Sequence, residues 1–292
     1  ADNFLNLLRQ ASFNGLIAFG MTCVILSDGI DLSVGSTYAL SAIICAEMLV
    51  NGVNPVAAVI VSLILGVALG VVSGVLVTIG RLQPFIATLI TMTAYRGLAK
   101  IITNAMPISR LADSCESEGG AFFFKTLGKG NLEFGPADNP WFAIPIPVII
   151  FVLALVIFYF ILTKTTFGRR IYATGSNAKC AKLVGVNVTK TKISVYAISG
   201  FMSALAGIMM ISRLDSAQPT MGSGFELDAI AAVALGGTSM NGGRGRIWGT
   251  FVGVLIIAVL NNGLNILGIS SYWQDVIKGI VILVAVLSDR KR

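Results

Sequence analysis

The sequence predicts an all-α polytopic membrane protein of about ten transmembrane helices, nine of them in this chain with the first missing, arranged as two inverted five-helix repeats. Three observations predict it. Of the 292 residues 55% are hydrophobic and only 12% charged, about half the charge of an ordinary soluble domain. Apolar runs recur at roughly the 20-residue length that crosses a bilayer. Basic residues collect in alternate connections, as cytoplasmic loops do.

In chain order the long runs are 11–27, 54–79, 84–103, 143–163, 193–212, 246–268 and 272–288. Two more, 33–50 and 226–241, are shorter or richer in small residues. The 163–192 connection holds Lys164, Arg169, Arg170, Lys179, Lys182, Lys190 and Lys192 with no acid, which places it in the cytoplasm. The 104–142 connection sets Arg110, Lys125 and Lys129 against Asp113, Glu116, Glu118, Glu133 and Asp138, and is expected outside. Only one run separates the two loops. Counting outward puts Arg81, Arg244, Arg246 and Arg290-Lys291-Arg292 inside, with a cytoplasmic C-terminus. It also puts residue 1 outside without a signal peptide, hence the expectation of one preceding span. The whole of 1–292 reads as a single transmembrane domain.

The repeat rests on two segments. Ile30-Asp31-Leu32-Ser33-Val34-Gly35-Ser36 opens one short run, and Glu226-Leu227-Asp228-Ala229-Ile230-Ala231-Ala232 opens another. Each begins with polar, acid-containing residues and continues small and apolar, and they stand five spans apart, an odd offset that inverts orientation. Short or broken helices in inverted halves mark a transport path. Gly66, Gly70 and Gly74, and likewise Gly249 and Gly253, recur four apart, spacing that lets helices approach closely in lipid.

Several chemistries are excluded. Histidine is absent, so Ser-His-Asp triads and His-ligated zinc are out, and neither catalytic nor metal-binding residues are expected. The cysteines, Cys23, Cys45, Cys115 and Cys180, show no metal spacing; the first two lie in apolar runs and the others in loops on opposite sides, so no disulfide framework is implied. The net charge of +7 lacks the aromatic-interleaved basic stripe of a nucleic-acid binder. The only Gly-Lys pair, Gly128-Lys129, is followed by Gly130 and is no phosphate loop. Gly243-x-Gly245-x3-Gly249 has no strand before it and fails as a dinucleotide turn. Ion coupling finds little support: Glu47 sits at a helix end, and Asp275 with Lys278 reads as a local pair.

Neutral polar groups remain, Asn261, Asn262 and Asn265 in one run and Thr88, Thr91 and Thr93 in another. They suit a polyhydroxylated solute or, equally, interhelical hydrogen bonds. In the cytoplasmic loop, Phe167-Gly168-Arg169-Arg170-Ile171-Tyr172-Ala173-Thr174-Gly175-Ser176-Asn177 reads as leading through a glycine turn to a capping Asn177, a short helix containing Ala181 and Leu183, and a terminating Gly185. Such a helix can dock on a soluble partner; lying on the lipid surface is the other possibility.

At Gly29–Ser36, at the Phe167–Gly185 loop, and at Glu226–Ala232 followed by Leu235-Gly236-Gly237-Thr238-Ser239, the chain closely resembles the permease subunits of bacterial monosaccharide ATP-binding-cassette importers, over nearly its whole length. The resemblance implies a bacterial inner-membrane subunit paired with a second permease copy, a periplasmic sugar-binding protein outside and a cytoplasmic ATPase inside, which alone would hold ATP and magnesium. No cofactor is expected in this chain. It implies import of ribose or a similar monosaccharide by alternating access, with ATPase coupling through Gly168, Arg169, Arg170, Gly175, Asn177, Ala181, Leu183 and Gly185. Asp31, Ser33, Asp228, Asn261, Asn262 and Asn265 are then expected to line the path. The loop departs from the family's common Gly-Gly-Asn-Glu at Gly175-Ser176-Asn177-Ala178. A hexose, a furanose signal or a branched-chain amino acid remains open as cargo, and an ion-coupled carrier or channel acting alone is the alternative of another class.

Overall fold

The computed structural model describes residues 2–115, 118–134 and 142–289; Glu116, Asp138 and the terminal Arg290-Lys291-Arg292 of the topology argument lie outside them. The order is α1 (Asp2–Leu26), α2 (Val34–Val50), α3 (Pro55–Thr78), α4 (Pro84–Ile102), β1 (Ile108–Ser109), α5 (Glu118–Lys129), β2 (Asn131–Phe134), β3 (Phe142–Pro145), α6 (Ile146–Lys164), α7 (Thr166–Ser176), α8 (Ala178–Leu183), α9 (Val188–Leu214), β4 (Ser216–Ala217), α10 (Phe225–Leu235), α11 (Ile247–Ile266) and α12 (Ser271–Asp289). Every expected run coincides with a helix. The starts follow local chemistry: Asn54 accepts a hydrogen bond from the Val56 amide at 2.9 Å ahead of Pro55, and Asn187 accepts one from Lys190 at 2.9 Å. Pro84 occupies the first helical position of α4, where its missing N–H costs nothing.

Among the described residues five helices, α3, α4, α6, α9 and α11, are long and apolar enough to cross a membrane, and α2 is a shorter apolar one. The 226–241 run is not a full crossing. It forms the 11-residue α10, about 16 Å long at 1.5 Å per residue against a core of about 30 Å. Gly237, at φ +75°, turns the chain where the apolar sequence continues.

A twofold repeat is visible in which helices pack. Matching α1 to α9, α2 to α10, α3 to α11 and α4 to α12, the pairing of α3 with α9 becomes that of α11 with α1. In the same way α2 on α3, α4 and α9 becomes α10 on α11, α12 and α1, while α1 on α9 and α2 on α10 map to themselves. Those two self-mapped contacts lie on the pseudo-twofold axis, so the starts of the two short helices meet there. A β-carbon on Gly35 of α2 would collide with the Gly222 carbonyl and approach the Glu226 carboxylate to 2.6 Å.

α1 and α9 form the buried centre. Gly66, Gly70 and Gly74 bring α3 onto α9, where a β-carbon on Gly74 would lie 2.9 Å from the Ile193 Cα. Gly249 and Gly253 bring α11 onto Gly236 and Ala232 at the end of α10. Phe19 of α1 stacks on Phe151 of α6 at 5.0 Å.

One end of the bundle collects the basic connections. The Lys192 ammonium reaches the Asp28 carbonyl at 3.1 Å, and the Gly243 amide donates to Leu26 at 3.0 Å. At the opposite end β1 pairs antiparallel with β4, and α5 packs across α9, α3 and α6.

Candidate functional site

At the basic end, α7 and α8 are separated by one residue. Thr165 caps α7 by accepting from the Gly168 amide at 3.1 Å. The segment expected as a glycine turn is helical through Ser176; the break comes at Asn177, whose extended backbone (φ −163°, ψ 100°) ends α7 while its carboxamide oxygen accepts from Cys180 at 3.0 Å. α8 ends in two interlocking bonds, Val186 amide to Ala181 carbonyl at 3.0 Å and Gly185 amide to Lys182 carbonyl at 3.1 Å. Gly185 stands at φ +85°, the left-handed stop that glycine adopts without a side-chain penalty.

The coupling residues named above divide into two groups. Arg169, Arg170, Asn177, Leu183 and Gly185 face outward, and Leu183 and Val184 are 87% and 79% exposed, flanked by exposed Lys179, Lys182 and Lys190. Gly168, Gly175 and Ala181 face inward and cannot touch a partner directly. A β-carbon at Gly168 would collide with the Ile161 and Leu162 carbonyls, and one at Gly175 with the Leu26 carbonyl. They hold α7 and α8 against the bundle instead.

The sequence reading missed what α7 rests on. The loop after α10 folds back beneath it: Gly242 and Gly243 take φ +77° and +69°, a β-carbon on Gly243 would strike Ser176, and the Tyr172 hydroxyl donates to the Gly245 carbonyl at 3.0 Å. Burial pushes the Tyr172 phenol above its ordinary range, so it remains a donor. The signal in the sequence is the glycine density of 236–245.

From this base a continuous set of contacts reaches the start of α2. Gly175 and Gly243 both abut Leu26, Lys192 holds Asp28, and the Tyr196 hydroxyl donates to the Ile30 carbonyl at 3.1 Å. Asp31 then accepts from the Ser33 amide at 3.0 Å, the Ser33 hydroxyl at 2.6 Å and the Ser199 hydroxyl at 2.8 Å. Ser33 continues to Ser73 at 3.4 Å, and Ser73 donates to Thr91 at 3.1 Å. Asp31, Ser33, Thr88 and Thr91 are therefore buried fastenings of α9, α2, α3 and α4. Asp31 and Ser33, expected on the path, are enclosed here, and Thr91 takes an interhelical bond of the kind the sequence left open. Thr93 is exposed and bonds the Leu89 and Ile90 carbonyls of its own helix.

The start of α10 is different. Asp228 pairs with Lys278 of α12 at 3.3 Å, so Lys278 reaches across to α10 in addition to any contact on its own helix. Glu226, also buried, accepts from the Gly224 amide at 3.2 Å. Arg96 of α4 donates to the Pro219 and Met221 carbonyls at 2.8 and 2.6 Å and is attracted to Glu226. The two pseudo-equivalent helices α4 and α12 thus each send a cation toward the start of α10, Lys278 to the Asp228 carboxylate and Arg96 to the carbonyls just before the helix, where the negative charge of Glu226 and Asp228 complements the helix dipole. Arg96, Glu226 and Lys278 were missed as site residues, since only the fold brings the three segments together.

The asparagines differ in their contacts. Asn261 is buried, with its side-chain oxygen unbonded among the described residues; Asn262 is half-buried. Asn265 accepts from Gln274 at 2.8 Å, which fastens α11 to α12.

Comparison with known proteins places this architecture. The family model described as branched-chain amino acid transport system / permease component matches residues 3–286. The ribose import permease protein RbsC of Bacillus subtilis is 54% identical over 290 residues, covering 99% of this chain and 85% of that protein. RbsC of Escherichia coli K12 is 46% identical over 292 residues, covering 100% and 86%. The xylose transport system permease protein XylH of the same organism is 36% identical over 335 residues, covering 99% and 85%.

Proposed function

Because the chain belongs to the branched-chain amino acid transport system permease family, we propose that it is the membrane subunit of an ATP-driven importer that moves ribose or a similar monosaccharide inward by alternating access. The observation that carries the cargo is 54% identity to a ribose import permease along nearly the whole chain. In this reading the chain is multi-pass in a bacterial inner membrane with its basic end and C-terminus in the cytoplasm. A second copy completes the path, a periplasmic sugar-binding protein delivers the cargo, and a separate ATPase binds ATP and magnesium.

The exposed tip of α8 supports the docking step. Two adjoining large apolar side chains, Leu183 and Val184, stand in water on a rigidly capped helix inside a basic rim, an anchor-and-rim arrangement suited to a groove with an acidic edge. Force delivered there passes through α7 to Leu26, Asp28 and Asp31 at the start of α2, the helix whose opening turns lie on the pseudo-twofold axis. The permease supplies the path and the lever, and the partner supplies the chemical energy.

Reconstitution into proteoliposomes with the cognate ATPase and sugar-binding protein tests this. ATP-dependent ribose uptake is expected, and Leu183→Asp or Asn177→Ala is expected to lower sugar-stimulated ATP hydrolysis and uptake together. Uptake by the chain alone under an ion gradient, without ATP, would make it a secondary carrier and overturn the reading.

A further inference from the structure

We propose that the cavity beside the first turn of α10 is a subsite for one neutral sugar ring within the membrane, an inference that rests on the importer reading above. The cavity holds about 310 Å3 and is lined by Ser223, Gly224, Phe225, Asp228, Lys278 and Gly279, among others. That is the low end of the roughly 300–1,000 Å3 of small-molecule pockets, and room for a single ring with its hydroxyls.

Charge decides the class of occupant. Asp228 and Lys278 pair with each other, so neither stands as an open charge that would single out an ionic occupant. Their contacts, 3.3 and 3.4 Å, are long beside the 2.7–2.9 Å of a tight charge-assisted bond. A sugar hydroxyl can bridge such a pair, accepting from the ammonium while donating to the carboxylate. The Ser223 hydroxyl adds a group that does both, and Phe225, held edge-on against Tyr38 at 5.4 Å, walls the site for the C–H face of a ring.

Position sets the site away from the end of α12. Lys278 lies seven residues into α12, about 10 Å along the helix, and is 22% exposed. An ammonium at that depth faces a polar cavity or a partner rather than lipid. Its place on α10, whose start contacts the lever helix α2, puts the cavity where a change in α2 is felt.

Gly279 provides the test, because a β-carbon there meets nothing within 4 Å and a larger side chain fills the cavity without striking the bundle. In proteoliposomes of the complete importer, Gly279→Leu is expected to cut ATP-driven ribose uptake at least tenfold, and Gly279→Ala to stay within twofold, with both variants melting like the parent. Parent-like uptake by Gly279→Leu, or equal losses in both variants, overturns the subsite. Should Gly279→Leu fail to assemble, Asp228→Asn decides: with ribose-loaded binding protein saturating, a tenfold loss of uptake with ATP hydrolysis retained supports the subsite, and parent-like uptake overturns it. Absence of ATP-driven uptake in the parent complex would instead overturn the importer reading.

Discussion

Asp31 shows how one residue can be legible in type and only partly in its contacts. An acid followed by Ser33 at a helix start is readable from sequence as a capping pair, and the Asp31 carboxylate does accept from both Ser33 donors. The third bond, from Ser199, spans 168 positions of sequence, and that bond encloses the carboxylate. Asp31→Ala would strand these donors at about 1–3 kcal/mol each in a buried site. A large drop in melting temperature of the detergent-solubilised permease is expected. Asp31→Asn, which keeps one acceptor oxygen and lets the Ser199 hydroxyl turn to accept, is expected to recover most of it. Gly175 makes the complementary case. Its β-carbon would collide with the Leu26 carbonyl, so Gly175→Val is expected to displace α7 and uncouple ATP hydrolysis from uptake although residue 175 touches no partner; parent-like coupling in that variant would refute the route through Leu26.

For single elements, the sequence was most readable where local chemistry decides. The start and stop of α8 follow from Asn177 and Gly185, which cap it through bonds spanning three to five residues. Gly185→Ala puts a β-carbon into the left-handed region at about 1–2 kcal/mol and is expected to fray α8. Faster protease cleavage between Lys182 and Lys190, without change in the global melting temperature, is the measurement. α10 was readable only in part. Its small apolar sequence continues past Leu235, so run length predicted a crossing, whereas the helix stops where Gly236 meets Gly249 and Gly237 turns. The charge cluster at its start was hidden for a related reason: Arg96, Glu226 and Lys278 are scattered over three segments, and pairwise spacing cannot reveal a site that the inverted repeat assembles.

The whole-molecule arrangement was the most legible, because hydropathy and loop charge act additively over many residues and survive errors at any one. The cysteines turn it into a measurement. Cys180 is exposed on α8 at the basic end, Cys115 is half-buried at the opposite end, and Cys23 and Cys45 are buried. With the basic end in the cytoplasm, a membrane-impermeant maleimide added to intact cells is expected to label Cys115 and spare Cys180, and permeabilisation is expected to expose Cys180. Burial foremost, with the nearby Asp215 charge, pushes the Cys115 thiol above its ordinary range. Since the thiolate is the reactive form, its labelling at neutral pH should be slower than that of an open thiol and should speed up about tenfold per pH unit while the thiol remains mostly protonated. Labelling of Cys180 in intact cells would invert the topology, and would remove α8 from the side where an ATPase could reach it.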